Sequence, residues 1–335
     1  MRQLRAGVIG LGVGEQHLLA YSRSGVCEVV VACDLSEEKL TAARTRYSKI
    51  RVTRDPEEVF EDPEIDVVSI ASYDDAHAKQ VVAALNAGKH VFVEKPICQT
   101  LAELKVIKAA WARHQGKLKL GSNLVLRAAP VYQWLRGKVA EGFFGEVFAL
   151  DGDYLYGRIE KITAGWRRDV LNYSVMAGGG VHLIDLLLWI TGQRPTDVIA
   201  LGNRICTRNT SFRYNDYVAA TLTFACGLVA RITANFGCVH RHQHVVRVCG
   251  TLGTFVYDDS GPRYHCSRNP GLSAVPVTLP ALPASKGDLV DDFLRAIIED
   301  ADKTHETQMH FDVMSIVAAC DESLGSRCWK EVQYI

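Results

Sequence analysis

Apolar positions fall into two regimes along the chain. Up to about residue 121, short apolar runs at 4–9, 29–33, 65–71, 90–93 and 117–121 alternate with amphipathic stretches at 15–22, 76–86 and 100–114. Runs of that length read as buried strands and the longer stretches as helices, an alternation that builds a doubly wound parallel sheet. Beyond residue 123 the apolar runs lengthen and crowd together, at 146–156, 196–206, 217–224, 228–236, 245–249 and 254–257. Turn signals such as Ala225-Cys226-Gly227 and Thr251-Leu252-Gly253 separate them, so a large, open, mostly antiparallel sheet is expected. Helical patterns return at 289–298 and 313–324, and 269–285 reads as a surface loop. The expected class is α/β, with a parallel-sheet domain over 1–123 and an α+β domain over 124–335.

The junction of the first strand and helix carries chemistry. Gly10, Gly12 and Gly14, with Val13 between the last two, make a glycine-rich turn where a pyrophosphate can sit on a helix N-terminus. The spacing G-x-G-x-x-G asks for Gly or Ala at 15, yet Glu15 stands there. Its carboxylate is expected to point outward, because an inward one would repel a diphosphate. Asp34 ends the second strand, roughly 20 residues past the glycines, where an acid accepts hydrogen bonds from ribose hydroxyls. A helix N-cap is its plain structural alternative. Leu35 and Ser36 follow, with no arginine to receive a 2′-phosphate. Strand, turn, helix, strand and acid in this order point to a Rossmann domain holding NAD, with NADP less favoured.

Composition narrows the picture. A 48% apolar content suffices for two cores, and 38 basic against 38 acidic residues give a formal charge of zero without a basic cluster, which argues against a nucleic-acid surface. No apolar run approaches the ~20 residues of a membrane helix, and a soluble, cytoplasmic protein is expected. The ten cysteines show no C-x-x-C or zinc-like spacing, so they read as reduced, mostly buried side chains, and no metal is expected.

Two further segments are candidates for catalysis. The strand at 90–93 runs into Glu94-Lys95-Pro96, placing a lysine at the carboxyl end of a buried strand. An ammonium beside bound NAD⁺ feels a like charge, which eases loss of its proton and lets it polarise a substrate hydroxyl. A strand-end lysine reaching water is the bland alternative. Gly178-Gly179-Gly180 leads into an apolar helix on which His182 and Asp185, at i and i+3, share a face. The glycines are expected to let backbone approach a ligand closely. His182 suits proton transfer, and Asp185 either orients the imidazole or binds a substrate hydroxyl. Arg167, Asn172 and Tyr173, just upstream, are candidates for holding a polar substrate. His240, His242 and His244 alternate, which in a strand gives one shared face; a sheet edge or pocket wall is favoured over a metal site.

Taken together, the glycine turn followed by His17, Asp34, Ala76-His77, Gly88-Lys89-His90-Val91, Glu94-Lys95-Pro96 and Gly180-Val181-His182-Leu183-Ile184-Asp185 resemble the glucose-fructose oxidoreductase, inositol dehydrogenase and rhizopine-catabolism family (Gfo/Idh/MocA) over essentially the whole chain. The resemblance implies NAD(P)-dependent oxidoreductases of sugars, cyclitols and sugar nucleotides, commonly homodimers or homotetramers paired through the C-terminal sheet. It implies that Lys95 contacts the nicotinamide ribose and the reacting oxygen, that His182 takes the proton, and that Ser72, His77, Glu94 and Pro96 join the glycine turn and Asp34 around the cofactor. Glu94 is structural or cofactor-facing, and Arg127 either contacts substrate or serves the domain junction. Many members carry an aspartate four residues before the histidine, where this chain has Gly178.

The expected function is hydride transfer between nicotinamide C4 and a secondary alcohol or ketone of a sugar-like substrate, with Lys95, His182 and Asp185 as catalytic residues. Two alternatives stand beside it: a lyase or glycosidase that uses transient oxidation by tightly held NAD, and a non-catalytic NAD-dependent sensor.

Overall fold

The computed structural model describes residues 2–335. They form two compact units. One comprises the residues up to Val125 with Ala284–Phe311 and Ile335, the other Leu126–Pro283 with Asp312–Tyr334.

In the first unit β1 (Leu4–Ile9), α1 (Gly14–Arg23), β2 (Cys27–Cys33), α2 (Glu37–Arg46), β3 (Arg51–Thr53), the single turn α3 (Glu57–Phe60), β4 (Val67–Ile70), α4 (Asp74–Asn86), β5 (His90–Val93), α5 (Leu101–Ala112) and β6 (Leu120–Ser122) follow one another. Their strands pair in parallel in the order β3-β2-β1-β4-β5-β6. The order reverses between β1 and β4, which opens a crevice at their carboxyl ends. The helices obey local signals: Ser36 caps α2 by accepting from Lys39 N, and Thr100 with Glu103 closes a capping box on α5.

The second unit holds α6 (Pro130–Ala140), β7 (Val147–Leu155), the short α7 (Glu160–Thr163), a π-helical turn at Met176–Gly180 that continues into α8 (Val181–Thr191), and the strands β8 (Pro195–Asn203), β9 (Tyr217–Phe224), β10 (Val229–Asn235), β11 (Gln243–Gly250), β12 (Thr254–Asp258), β13 (Gly261–His265) and β14 (Val275–Pro276). After α9 (Val290–Ile298) and α10 (Thr304–Ser326), β15 (Lys330–Glu331) completes a sheet ordered β14-β13-β12-β11-β7-β10-β9-β8-β15. Pairing is antiparallel except between β7 and β10. Buried and half-exposed positions alternate along β7 and β9, the period-two pattern of a sheet with one packed face. On that face α8 is buried along nearly its whole length. Gly152 lets it come close, since a Cβ there would stand 3.2 Å from Leu183 Cδ1.

Three features differ from the sequence expectation. Pro130 opens α6, a helix its neighbours did not announce, by supplying the first-turn position that needs no N–H. The expected loop at 269–285 contains the two-residue β14. The linear division at 123/124 also differs, because 284–311 is counted with the first unit. Val290, Phe293 and Leu294 of α9 join Leu18, Tyr21 and Phe92 in one core, so burial of that apolar face brings the segment back.

Candidate active site

The three glycines of the first turn serve three different purposes. Gly10 has a positive φ of 86°, and a Cβ there would run into the Ala71 carbonyl. Gly12 is exposed, and among the described residues a Cβ there would meet only Lys39 Nζ, at 3.9 Å. Gly14 is buried, its would-be Cβ 3.1 Å from Ala71 Cβ and 3.2 Å from Val8 Cγ1, so α1 packs directly on the strands. Tight turn, open approach and close helix packing are what a diphosphate at a helix N-terminus requires, and Gly14 fills the third role one residue early. Val13 caps α1 without a side-chain hydrogen bond, leaving the first-turn amides oriented toward an anion. Glu15 points outward and pairs with Arg46 at 2.6 Å.

Asp34 sits between the glycine turn and the start of α2, whose N-cap is Ser36. Its carboxylate accepts from Leu11 N at 2.6 Å and Ser36 N at 2.8 Å, which fixes the turn and the start of α2. Lys39 Nζ also reaches it, at 3.3 Å. Sequence reasoning looked for a cation at 35 or 36 and missed Lys39; the signal was the Ser36 cap, which turns the residue three places on back toward the carboxylate.

Ser72 lies just beyond β4, its Oγ donating to Gln80 Oε1 at 2.6 Å. His77 is fully buried, with Nδ1 2.7 Å from the Pro96 carbonyl and Nε2 3.2 Å from the Ser72 carbonyl. His77 thus lies between the Ser72 carbonyl and the Pro96 carbonyl of the cis Lys95–Pro96 segment. Glu94 is likewise drawn inward. Its Oε1 accepts from Asn123 Nδ2 at 2.7 Å and lies 3.2 Å from His17 Nε2, while His17 Nδ1 lies 2.9 Å from Ser69 Oγ. Burial raises the Glu94 carboxyl, but His17, Lys95 and Asn123 outweigh it and bring the pKa down to about 2. Glu94 is thus held ionised in an inward hydrogen-bond network with His17 and Asn123.

In the second unit His182 stands on the first turn of α8 inside an aromatic cluster. Its ring stacks on Tyr154 (6.3 Å, 21°) and meets His244 edge-on at 5.7 Å. His242 and His244 both approach Tyr154 at 5.2 Å, and His242 also meets Tyr156 at 5.3 Å. These two histidines form a wall of the cluster. His240 leaves it, with Nε2 3.1 Å from Asp259. No three metal-ligating side chains gather among the described residues. Burial pushes the Tyr154 phenol well above its ordinary range, with Tyr156 and Tyr173 adding to the rise and Arg167 and Arg158 opposing it, so Tyr154 remains a neutral donor. Arg167 also lies over the Trp166 ring at 4.4 Å.

The glycine run proves to admit the protein's own side chains. Beside Gly178 a Cβ would overlap the Tyr173 hydroxyl, at Gly179 it would stand 2.8 Å from Tyr154 Cζ, and at Gly180 2.8 Å from Met176 Sδ. Asp185 does not use its carboxylate on the imidazole. Both oxygens accept from Arg127, whose Nε lies 2.9 Å from Oδ2 and whose Nη2 reaches Oδ1. The sequence candidates thus divide into two groups: Gly10 to Gly14, Asp34, Ser72, His77, Glu94, Lys95 and Pro96 belong to the first unit, and Arg127, Arg167, Tyr173, His182 and Asp185 to the second.

Comparison with known proteins accords with this geometry. Residues 4–122 match the family described as "Oxidoreductase family, NAD-binding Rossmann fold", and residues 132–256 match the "GFO/IDH/MocA C-terminal domain". The chain is 28% identical over 274 residues to the uncharacterized oxidoreductase YrbE of Bacillus subtilis (78% of this chain, 75% of the relative). It is 28% identical over 237 residues to an inositol 2-dehydrogenase of Salmonella paratyphi B (69% and 68%). Among solved structures, levoglucosan dehydrogenase in complex with NADH and levoglucosan superposes with a TM-score of 0.83 at 22% identity, over 98% of this chain and 99% of that one.

Proposed function

The chain belongs to the Gfo/Idh/MocA family of NAD-binding oxidoreductases, and we propose that it transfers a hydride between nicotinamide C4 and a secondary alcohol or ketone of a sugar, sugar nucleotide or cyclitol. The observation that carries this reading is the turn at the strand-order reversal, where Gly10, Gly12 and Gly14 each meet a separate steric demand of a dinucleotide. Bound NAD supplies the hydride acceptor.

The chain's own residues then handle charge and protons. Lys95, next to the ionised Glu94 in the chain, polarises the reacting oxygen, and His182 takes the hydroxyl proton in the direction of oxidation. Tyr154 holds the imidazole by stacking. Arg167 and Tyr173 hold polar groups of the substrate. Asp185 and Arg127, spent on one another, act by positioning α8. Pairing into a homodimer or homotetramer through the half-exposed face of the nine-stranded sheet belongs to the same proposal, and the alternating exposure along β7 and β9 supports it.

The test is NADH formation, followed by absorbance, with NAD⁺ and a panel of hexoses, inositols, amino sugars and sugar nucleotides. Turnover on one class supports the proposal and names the substrate. A blank panel from protein that retains NAD through purification turns the reading toward transient-oxidation chemistry, and a blank panel with exchangeable NAD toward a sensor.

A further inference from the structure

We infer that His244 and His242 form a relay that carries the substrate proton away from His182 to the surface of the second unit. The inference rests on the dehydrogenase reading above.

Oxidation of an alcohol by NAD⁺ yields a ketone, NADH and one proton. The hydride leaves with the electron pair of the C–H bond, and the hydroxyl proton is left on His182. That ring is only 8% exposed, so the proton needs a path to water before the next turnover. Tyr154 and His244 lie against the imidazole. The Tyr154 phenol stacks on its face and, held neutral by burial, takes no proton. Asp185, on the same helix, gives its carboxylate to Arg127. His244 meets the imidazole edge-on at 5.7 Å, and an imidazole gains a proton at one nitrogen while releasing one from the other.

The next ring is closer still. His244 and His242 stand 4.9 Å apart, tilted by 59°. Two imidazoles joined by an N–H···N bond of ~2.9 Å have ring centres roughly 5 Å apart. Both spacings thus come within reach of transfer by rotation of a ring about its Cβ–Cγ axis or through one water. The backbone fixes the line. His244 pairs with Tyr154 across β11 and β7, and its carbonyl accepts from Tyr132 Oη at 3.3 Å. His242, two residues earlier, stands edge-on to Tyr154 and Tyr156. His244 is 5% exposed, whereas His242 is half-buried, so the line opens at its far end. Each transfer forms an N–H bond on one ring as it breaks one on the other, and one proton moves with no change of oxidation state.

The test uses the full chain, the substrate found by the panel, and wild type beside His244→Ala and His244→Phe in weakly buffered solution. NADH is followed by stopped-flow absorbance. The first hydride transfer needs only the accepting nitrogen of His182, so it is expected to run at the wild-type rate in both variants. Later turnovers wait for the proton to leave and are expected to slow about 10²-fold, the low end for a positioned acid or base. A burst of one NADH per site therefore precedes slow turnover. Added imidazole, entering the space left in His244→Ala, is expected to raise its steady-state rate about tenfold or more, and the Kd for NADH is expected to stay at the wild-type value. His244→Phe keeps the ring volume, so the burst can still be read if the alanine variant fails to fold. Wild-type steady-state turnover in both variants overturns the inference. So does a first turnover slowed as far as the steady state, which marks a merely structural ring. A wild-type protein that turns over nothing overturns the dehydrogenase reading and this inference with it, so the two failures are told apart.

Discussion

Arg127 and Asp185 grip each other at both carboxylate oxygens, with the Asp185 side chain 1% and the Arg127 side chain 11% exposed. Asp185, a catalytic candidate from the sequence, and Arg127, a substrate or domain-junction candidate, thus share one buried ion pair. Burial raises the Asp185 carboxyl and the guanidinium opposes the rise. Removing one partner strands the other's charge, so Arg127→Ala should destabilise the chain by ~3–5 kcal/mol. Urea unfolding of wild type and variant measures this directly, and a change under 1 kcal/mol would show the pair to be dispensable.

Lys95→Ala and His182→Asn should each lower kcat by about 10²–10⁴-fold, the range for a positioned acid or base. NADH binding, followed by fluorescence titration, should be nearly unchanged for His182→Asn and weakened only modestly for Lys95→Ala. Turnover at the wild-type rate in either variant would remove that residue from the mechanism.

Asp34→Ala should weaken NADH binding ten- to a hundredfold, the scale of a lost charge-assisted hydrogen bond. It should also narrow the preference over NADPH, because Lys39, 3.3 Å from the carboxylate, stays behind to meet a 2′-phosphate. Titrating both nucleotides into Asp34→Ala and into Asp34→Ala/Lys39→Ala tests this. The gain in relative NADPH affinity should vanish in the double variant.

Asp321 of α10 accepts from Ser174 Oγ at 2.8 Å, and the atoms packed around it push its carboxyl up to about 7. Between its ordinary value of 3.8 and about 7, the folded chain keeps a proton that the unfolded chain has released. Stability therefore falls as pH rises through that window, and the loss is complete near pH 8. Asp321→Asn still offers an oxygen to Ser174 but cannot ionise. The rise from 3.8 to about 7 corresponds to ~4 kcal/mol, and the partial exposure of the residue reduces the expected gain at pH 8 to about 2 kcal/mol. Urea midpoints at pH 4, 6 and 8 should diverge upward with pH; a difference constant across the series would contradict the assignment.

The strand and helix patterns, the glycine turn and Asp34 were legible in the chain because each depends on residues that are neighbours or one turn apart. Period-two burial on β7 and β9 and the Ser36 and Thr100 caps are local signals of this kind. So was the outward aim of Glu15, since the charge of a helix N-terminus already penalises the inward one. Tertiary packing decided the rest. Asp185 finds Arg127 58 residues away, Ser174 finds Asp321 147 residues away, and Asn123 finds Glu94 29 residues away. No spacing rule anticipates such pairs, because a buried charge takes whichever partner the packed elements bring within reach. The three glycines at 178–180 make the point most sharply: the sequence announced that something must come close to the backbone there, and only the fold determined that Tyr173, Tyr154 and Met176 would do so.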